Sequence, residues 1–194
     1  MANTNKNGKS FTKNLTMVAI LTAITVVLQI VALVSRPFLP FSITLSLFPI
    51  VIGAALCGPV TSSWLGFAFG VTVLLSGDAA AFLTVNIPGT IITVLAKGTL
   101  AGLAAGLIYK LASKVNGYFG VFCSAVAAPV VNTGVFLLGC KLFFMDTITS
   151  WAEAAGSPNV GSYIILSFVG INFLIELGVN MVCSPIILRL INIR

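Results

Sequence analysis

The stretch "NIPGTIITVLAKGTLAGLAAGL" (residues 86–107) is long and apolar enough to cross a bilayer as a helix. Gly98, Gly102 and Gly106 recur every four residues, so they lie on one face of a helix. Small residues at this spacing let two helix backbones approach closely inside a membrane. Lys97 is the charge within the run, and it must face away from lipid. The stretch therefore predicts a transmembrane helix packed inside a bundle.

The composition of the whole chain agrees with a membrane location. Of its 194 residues, 58% are hydrophobic and 7% are charged, and the mean hydropathy is +1.13. A soluble domain carries charge on about a quarter of its positions, so most of this surface cannot face water. Apolar segments of spanning length recur to the last residues, which a cleaved secretory signal does not explain. The chain is predicted to be an all-α integral membrane protein.

Turn residues and charges divide the chain into six apolar segments, each of them a predicted span. They cover about residues 14–35, 43–56, 60–75, 88–111, 118–144 and 161–191. The loop after the fifth segment contains Asp146 and Glu153. The prediction is a six-transmembrane-helix bundle that forms a single membrane domain, residues 14–194, preceded by a basic cytoplasmic tail, residues 1–13.

The basic residues predict the orientation of the bundle, because Lys and Arg in short loops mark the cytoplasmic side. On one side of a six-span bundle lie Lys6, Lys9, Lys13, Lys110, Lys114, Arg189 and Arg194. On the other side lie Arg36, Asp78, Asp146 and Glu153. Both termini are therefore predicted to be cytoplasmic. The net charge of +6 follows from this topology, and no nucleic-acid partner is expected, because the basic residues form no patch interleaved with exposed aromatics.

A polar stripe precedes the glycines on the fourth predicted helix. Asn86, Thr90, Thr93 and Lys97 follow helical spacing. A charge at the bilayer centre costs about 2.5–3.5 kcal/mol on insertion scales, so this face is predicted to point into the bundle.

A second stripe, Asn172, Glu176 and Asn180, runs along the sixth predicted helix, and Asn132 on the fifth supplies a third polar wall. Two interpretations fit these residues. In the first, Lys97 and Glu176 neutralise each other and the asparagines hydrogen-bond across helices. In the second, the stripes converge on a cavity that opens to the outer side and holds a small polar ligand. The two interpretations are compatible with each other.

Catalysis is not expected in this chain. There is no histidine, which removes the usual general base and the usual metal ligand. The four acidic residues are widely separated and form no paired-carboxylate site. We therefore predict no enzymatic activity, metal or cofactor. A transporter without an energy source would be a facilitator, an ion-coupled carrier or the ligand-binding part of a larger machine.

These features resemble the substrate-binding membrane subunit, or S component, of an energy-coupling factor (ECF) vitamin transporter. The resemblance covers nearly the whole chain: its length, the six predicted spans, the cytoplasmic termini, and an A-x-x-x-A strip from Ala19 to Ala23 in the first helix. In that family the alanine strip docks on the coupling helices of a transmembrane subunit, which two ATPases drive. The resemblance implies a multi-pass protein of the bacterial cytoplasmic membrane.

The resemblance also implies where the ligand binds. The family's site lies towards the outside on the fourth, fifth and sixth helices, with loops one and three as lids. Carried over by position, the binding residues are Asn86, Thr90, Thr93, Lys97, Asn132, Asn172 and Glu176, with Arg36 or Phe41 on a lid.

The expected ligand is a water-soluble vitamin. The polar stripes contain a cation, an anion and amides but no tryptophan or tyrosine, which disfavours a site that stacks a large aromatic ring. Pantothenate is the leading candidate, with Lys97 or Lys141 facing its carboxylate; riboflavin, lipoate and folate stay open. Two other functions also stay open, a structural or assembly subunit and a self-sufficient small-solute carrier.

Overall fold

The computed structural model describes residues 4–35 and 45–193, and within these ranges every regular element is a helix. The α-helices are α1 Thr4–Ser35, α2 Leu47–Cys57, α3 Pro59–Leu75, α4 Ala80–Leu83, α5 Ile87–Ala112, α6 Gly117–Phe143, α7 Met145–Ala154, α8 Val160–Ile164 and α9 Gly170–Ile193. A π-helical turn, Ile165–Val169, joins α8 to α9. The predicted all-α fold is confirmed for the described residues.

Three of the described helices are long and apolar enough to cross a membrane: Thr12–Val34 within α1, then α5 and α6. Two further apolar helices, α2 and α3, are shorter. At about 1.5 Å per residue, the 11 residues of α2 extend only about half of a hydrocarbon core of about 30 Å. The second predicted span, 43–56, lies partly outside the described residues.

The helix boundaries differ from the predicted ones in several places: α4 lies in the predicted loop between the third and fourth spans, and the sixth predicted span, 161–191, is divided into α8, the π-helical turn and α9. The first helix begins at Thr4, earlier than the predicted start at residue 14. The predicted loop after the fifth span instead contains α7, in which Ile148 and Ala152 are buried while Asp146 and Glu153 are exposed. Asp146 and Glu153 suggest a break between spans in the sequence, but in the structure they form the polar face of a short amphipathic helix.

A glycine seam joins α3 to α5. A methyl group added at Gly66 would overlap the carbonyl oxygen of Gly98, and one added at Gly98 would overlap that of Gly66. Gly102 lies equally close to the carbonyl of Ser62, and Gly106 to Pro59. The backbones therefore touch along the whole seam, as the spacing of these glycines predicted.

The hydrophobic core surrounds α2 and borders the polar cavity near the start of α5. Leu47, Ile50 and Val51 of α2 are fully buried in this core, which extends to Ala125 of α6 and Ile187 of α9. Core residues of α3 and α5 also line the cavity, whereas none of the described α2 side chains does. The side chains of α2 therefore fill the apolar core and take no part in the polar lining.

We expect Gly98→Ala to destabilise the protein, because the added methyl forces two helix backbones apart. Overpacking of this kind costs about 1–3 kcal/mol. The matched control is Gly134→Ala in α6, where an added methyl meets nothing within 4 Å. Thermal unfolding in detergent should show a lower midpoint for Gly98→Ala alone, and equal midpoints would show that the seam is not tightly packed.

Candidate functional site

A cavity of about 330 Å³ lies among α1, α3, α4, α5, α6 and α9, and none of the described α2 side chains lines it. Its volume is at the lower end of the range for sites that bind small molecules, about 300–1,000 Å³. Polar and apolar side chains line it together. The arrangement suits a small ligand with both kinds of surface.

The first wall of the cavity is the start of α5, which contributes Thr90, Thr93 and Lys97. Asn86 sets where this helix begins, because its side-chain oxygen accepts a hydrogen bond of 2.9 Å from the N–H of Gly89. The Thr90 hydroxyl donates to the carbonyl oxygen of Asn86 at 2.7 Å. This capped first turn holds the polar face of α5 towards the interior.

The opposite walls are supplied by Asn132 of α6 and Glu176 of α9. Both side chains are buried, with 8% and 6% of their surface exposed. Asn132 Oδ1, Glu176 Oε1 and Thr93 Oγ1 are all buried and have no hydrogen-bond partner in the described structure. A methyl group added at Gly139 of α6 would overlap the side chain of Thr93, so close helix packing determines where this hydroxyl lies.

Phenylalanine rings form the apolar part of the lining: Phe69, Phe82, Phe136, Phe144 and Phe173. Phe82 packs edge-on against Phe136 and Phe144, with ring centres 5.6 and 5.0 Å apart, and also meets Trp151 of α7. Lys97 Nζ lies 5.1 Å from the centre of the Phe136 ring and 5.9 Å from that of Phe69. Such cation–π contacts stabilise an ammonium group away from water.

A hydrogen-bond network ties three segments together at the edge of the cavity. Gln29 of α1 donates from Nε2 to Asp78 Oδ2 at 3.0 Å, and Ser46 Oγ donates to Gln29 Oε1 at 2.9 Å. Gln29 and Ser46 are almost completely buried. Gln29 and Asp78 also line the cavity, so this network anchors α1 to its wall.

Across residues 13–188 the chain matches the family model described as "ECF transporter, substrate-specific component". The chain belongs to this family. No curated protein and no solved structure matches it. It is therefore a membrane protein that acts as the substrate-specific component of an ECF transporter, and membership implies interaction with a substrate and with the ECF module. The family predicted from the sequence is confirmed.

In this substrate-specific component, the cavity brings together five of the residues predicted to bind ligand: Thr90, Thr93, Lys97, Asn132 and Glu176. Asn86 lies outside the lining, where it caps α5. Asn172 belongs to α9, but its side chain lies outside the described residues, as do the predicted lid residues Arg36 and Phe41.

Sequence reasoning missed the phenylalanine wall and the pair Gln29 and Asp78. A usable signal existed for part of the wall, because Phe136 follows Asn132 by one helical turn and Phe173 precedes Glu176 by nearly one. No such signal existed for Gln29 and Asp78, which are 49 positions apart and meet only through tertiary packing.

Among the residues that the structure describes, no three His, Cys, Asp or Glu side chains are grouped to hold a metal ion. The arrangement can bind a ligand through one ammonium group, carboxylates, hydroxyls, an amide and aromatic rings.

We expect Gln29→Leu to lower the free energy of unfolding by about 1–3 kcal/mol, because it removes the acceptor of Ser46 Oγ and one partner of Asp78. The control is Thr22→Val on the same helix, which loses only a bond to the carbonyl of Val18. Thermal unfolding without ligand measures both. Equal unfolding midpoints for Gln29→Leu and the control would refute an anchoring role of the network.

Proposed function

We propose that this substrate-specific component binds a small water-soluble vitamin in the cavity among α5, α6 and α9 and supplies it to an ECF importer. The observation that carries the proposal is a polar cavity of about 330 Å³ inside a protein whose outer surface is apolar. Polar residues are expensive inside a membrane and are typically functional there. The subunit itself has no catalytic role in this proposal.

Pantothenate remains the leading candidate for the vitamin. It combines a carboxylate, hydroxyl groups and an amide with a branched apolar centre. Lys97 would face the carboxylate, Thr90 and Asn132 the polar groups, and the phenylalanine rings the apolar centre. Lys141 is exposed and lies outside the cavity lining, which favours Lys97 as the cation. Riboflavin also fits a wall of phenylalanines, and folate and lipoate are further alternatives.

The proposed topology has six transmembrane helices and cytoplasmic termini, in the bacterial cytoplasmic membrane. Residues 1–13 would form the basic tail and residues 14–194 the single membrane domain. The three long apolar helices support part of this count. In this orientation the cavity, near the start of α5, faces the outer half of the membrane, from which the vitamin would enter.

Coupling is proposed to occur through the first helix. The side chains of Ala19 and Ala23 are exposed on α1, so they offer a flat strip to another membrane helix. That helix would belong to a transmembrane coupling subunit, and two ATPases would supply the energy. The strip lies on the same helix as Gln29, which contacts the cavity.

We expect the purified protein to unfold at a higher temperature when its vitamin is added, because a ligand that binds only the folded state stabilises it by about 2.7 kcal/mol at 100 times Kd. A panel of pantothenate, riboflavin, lipoate and folate tests this. Mass spectrometry of small molecules released from the protein identifies any ligand that it retains. No shift with any vitamin would favour a structural subunit, and uptake by vesicles containing this chain alone would favour a self-sufficient carrier.

Replacing the cavity lysine should weaken binding. For Lys97→Ala we expect a Kd about tenfold or more higher, since a hydrogen bond to a charged group contributes about 1.5–3 kcal/mol. Lys110→Ala is the matched control, because Lys110 is an exposed lysine in the last turn of the same helix. Titration calorimetry compares the two, and equal Kd values would remove Lys97 from the site.

We expect Ala19→Trp and Ala23→Trp to abolish uptake by the assembled transporter while leaving vitamin affinity nearly unchanged, because a bulky ring prevents close helix contact. Val31→Trp is the control: Val31 is 54% exposed on α1, two or more turns from the strip. Uptake into vesicles and Kd in detergent are measured for each variant. Full uptake by both alanine variants would exclude docking at this strip.

A further inference from the structure

The cavity presents an excess of unpaired hydrogen-bond acceptors. Asn132 Oδ1 is a hydrogen-bond acceptor, Glu176 Oε1 is one when its carboxyl group is ionised, and both are buried without a partner. Thr93 Oγ1 is a third unpaired atom in the same lining. The three residues come from three different helices, α6, α9 and α5. Their convergence on one cavity therefore does not follow from any single helix.

The side chains around these three oxygens do not pair with them, although the ammonium group of Lys97 is a potential donor. Lys97 lines the same cavity, and the three oxygens lack partners with its ammonium group in place. A buried acceptor without a donor costs about 1–3 kcal/mol. Two such acceptors and an unpaired hydroxyl group around one space favour a guest molecule that brings donors.

We propose that the substrate carries more than one hydrogen-bond donor, as hydroxyl or amide N–H groups, and presents them to Asn132 and Glu176, with Thr93 beside them. This inference rests on the proposed function and deepens it, because it defines the substrate class. Pantothenate and riboflavin belong to that class, since both carry hydroxyl and N–H groups. Lipoate does not, because its polar group is a carboxylate that only accepts at neutral pH.

Asn180 provides a matched control within the same helix. It is 1% exposed, one turn beyond Glu176, and its Oδ1 also lacks a partner. It does not line the cavity, and its Nδ2 donates to the backbone carbonyl of Glu176 at 2.8 Å. Changing Asn180 therefore alters a buried amide without changing the cavity wall.

The test is titration calorimetry of the full chain in detergent with pantothenate, riboflavin and lipoate, and with a pantothenate analogue in which one hydroxyl is replaced by hydrogen. We expect binding of a donor-bearing vitamin, no binding of lipoate, and weaker binding of the analogue. Glu176→Gln should raise the Kd about tenfold, because the amide keeps one acceptor oxygen and puts a donating NH₂ group in place of the other. Thr93→Val should raise it about three- to tenfold, and Thr93→Ser, which keeps the hydroxyl, should restore it. Asn180→Ala should lower the unfolding temperature and leave Kd unchanged.

The comparison between vitamin and analogue distinguishes the loss of a direct hydrogen bond to the substrate from a general loss of folded protein. If Glu176 accepts from the missing hydroxyl, Glu176→Gln weakens pantothenate more than it weakens the analogue, as a double-mutant cycle requires. If riboflavin binds in place of pantothenate, the donor class is supported, and the same variants are titrated with riboflavin.

Two sets of results overturn the inference, and they can be told apart. Tight binding of lipoate, equal affinity for vitamin and analogue, or equal effects of Glu176→Gln and Asn180→Ala on the Kd would show that the substrate does not donate to these acceptors; the proposed function would then stand without the donor rule. Absence of binding by every vitamin in the panel would remove the proposed function and this inference with it.

Discussion

Hydrocarbon offers no hydrogen-bond partners, so each polar group inside a membrane bundle needs one from the protein, from water or from a ligand. The backbone meets this requirement through helices. The side chains meet it unevenly: Gln29 and Ser46 hydrogen-bond within the protein, whereas Asn132 and Glu176 keep unpaired oxygens in the cavity wall. The unpaired oxygen of Asn180 belongs to a residue outside the cavity lining, so the position of the group and its lack of a partner have to be considered together.

Helix packing creates the space in which that difference matters. The glycine seam brings the backbone of α3 against α5, and Gly139 brings α6 against the side chain of Thr93. The side chains of α2 fill the apolar core, and none of those described lines the cavity. Close packing at the seam and the apolar core around α2 therefore border the polar space.

Helical periodicity predicted several residues of the cavity wall. Spacing alone did not distinguish a residue that lines the cavity from one that caps the helix. Thr90, Thr93 and Lys97 share a face with Asn86, yet α5 begins at Asn86, whose side chain closes the first turn instead of lining the cavity. Phe82 is the opposite case, a residue that lines the cavity although no helical periodicity predicts it. It lies between the third and fourth predicted spans and joins the wall through contacts with Phe136 and Phe144. Contacts between distant segments decide such roles, and periodicity describes one segment at a time.

Composition and periodicity, which are local properties of the chain, predicted the membrane location, the all-helical fold and the inward faces of the helices. The resemblance to ECF substrate-binding subunits predicted the family. The packing of the helices brings Lys97, Asn132 and Glu176 around one cavity, which phenylalanine rings complete. It also brings Gln29 within hydrogen-bond distance of Asp78, 49 positions away in the sequence. The physical reason is that these relations depend on the distances between helices. Backbone contact at glycines sets part of those distances, and because each contact involves two helices, no single segment of the sequence encodes it.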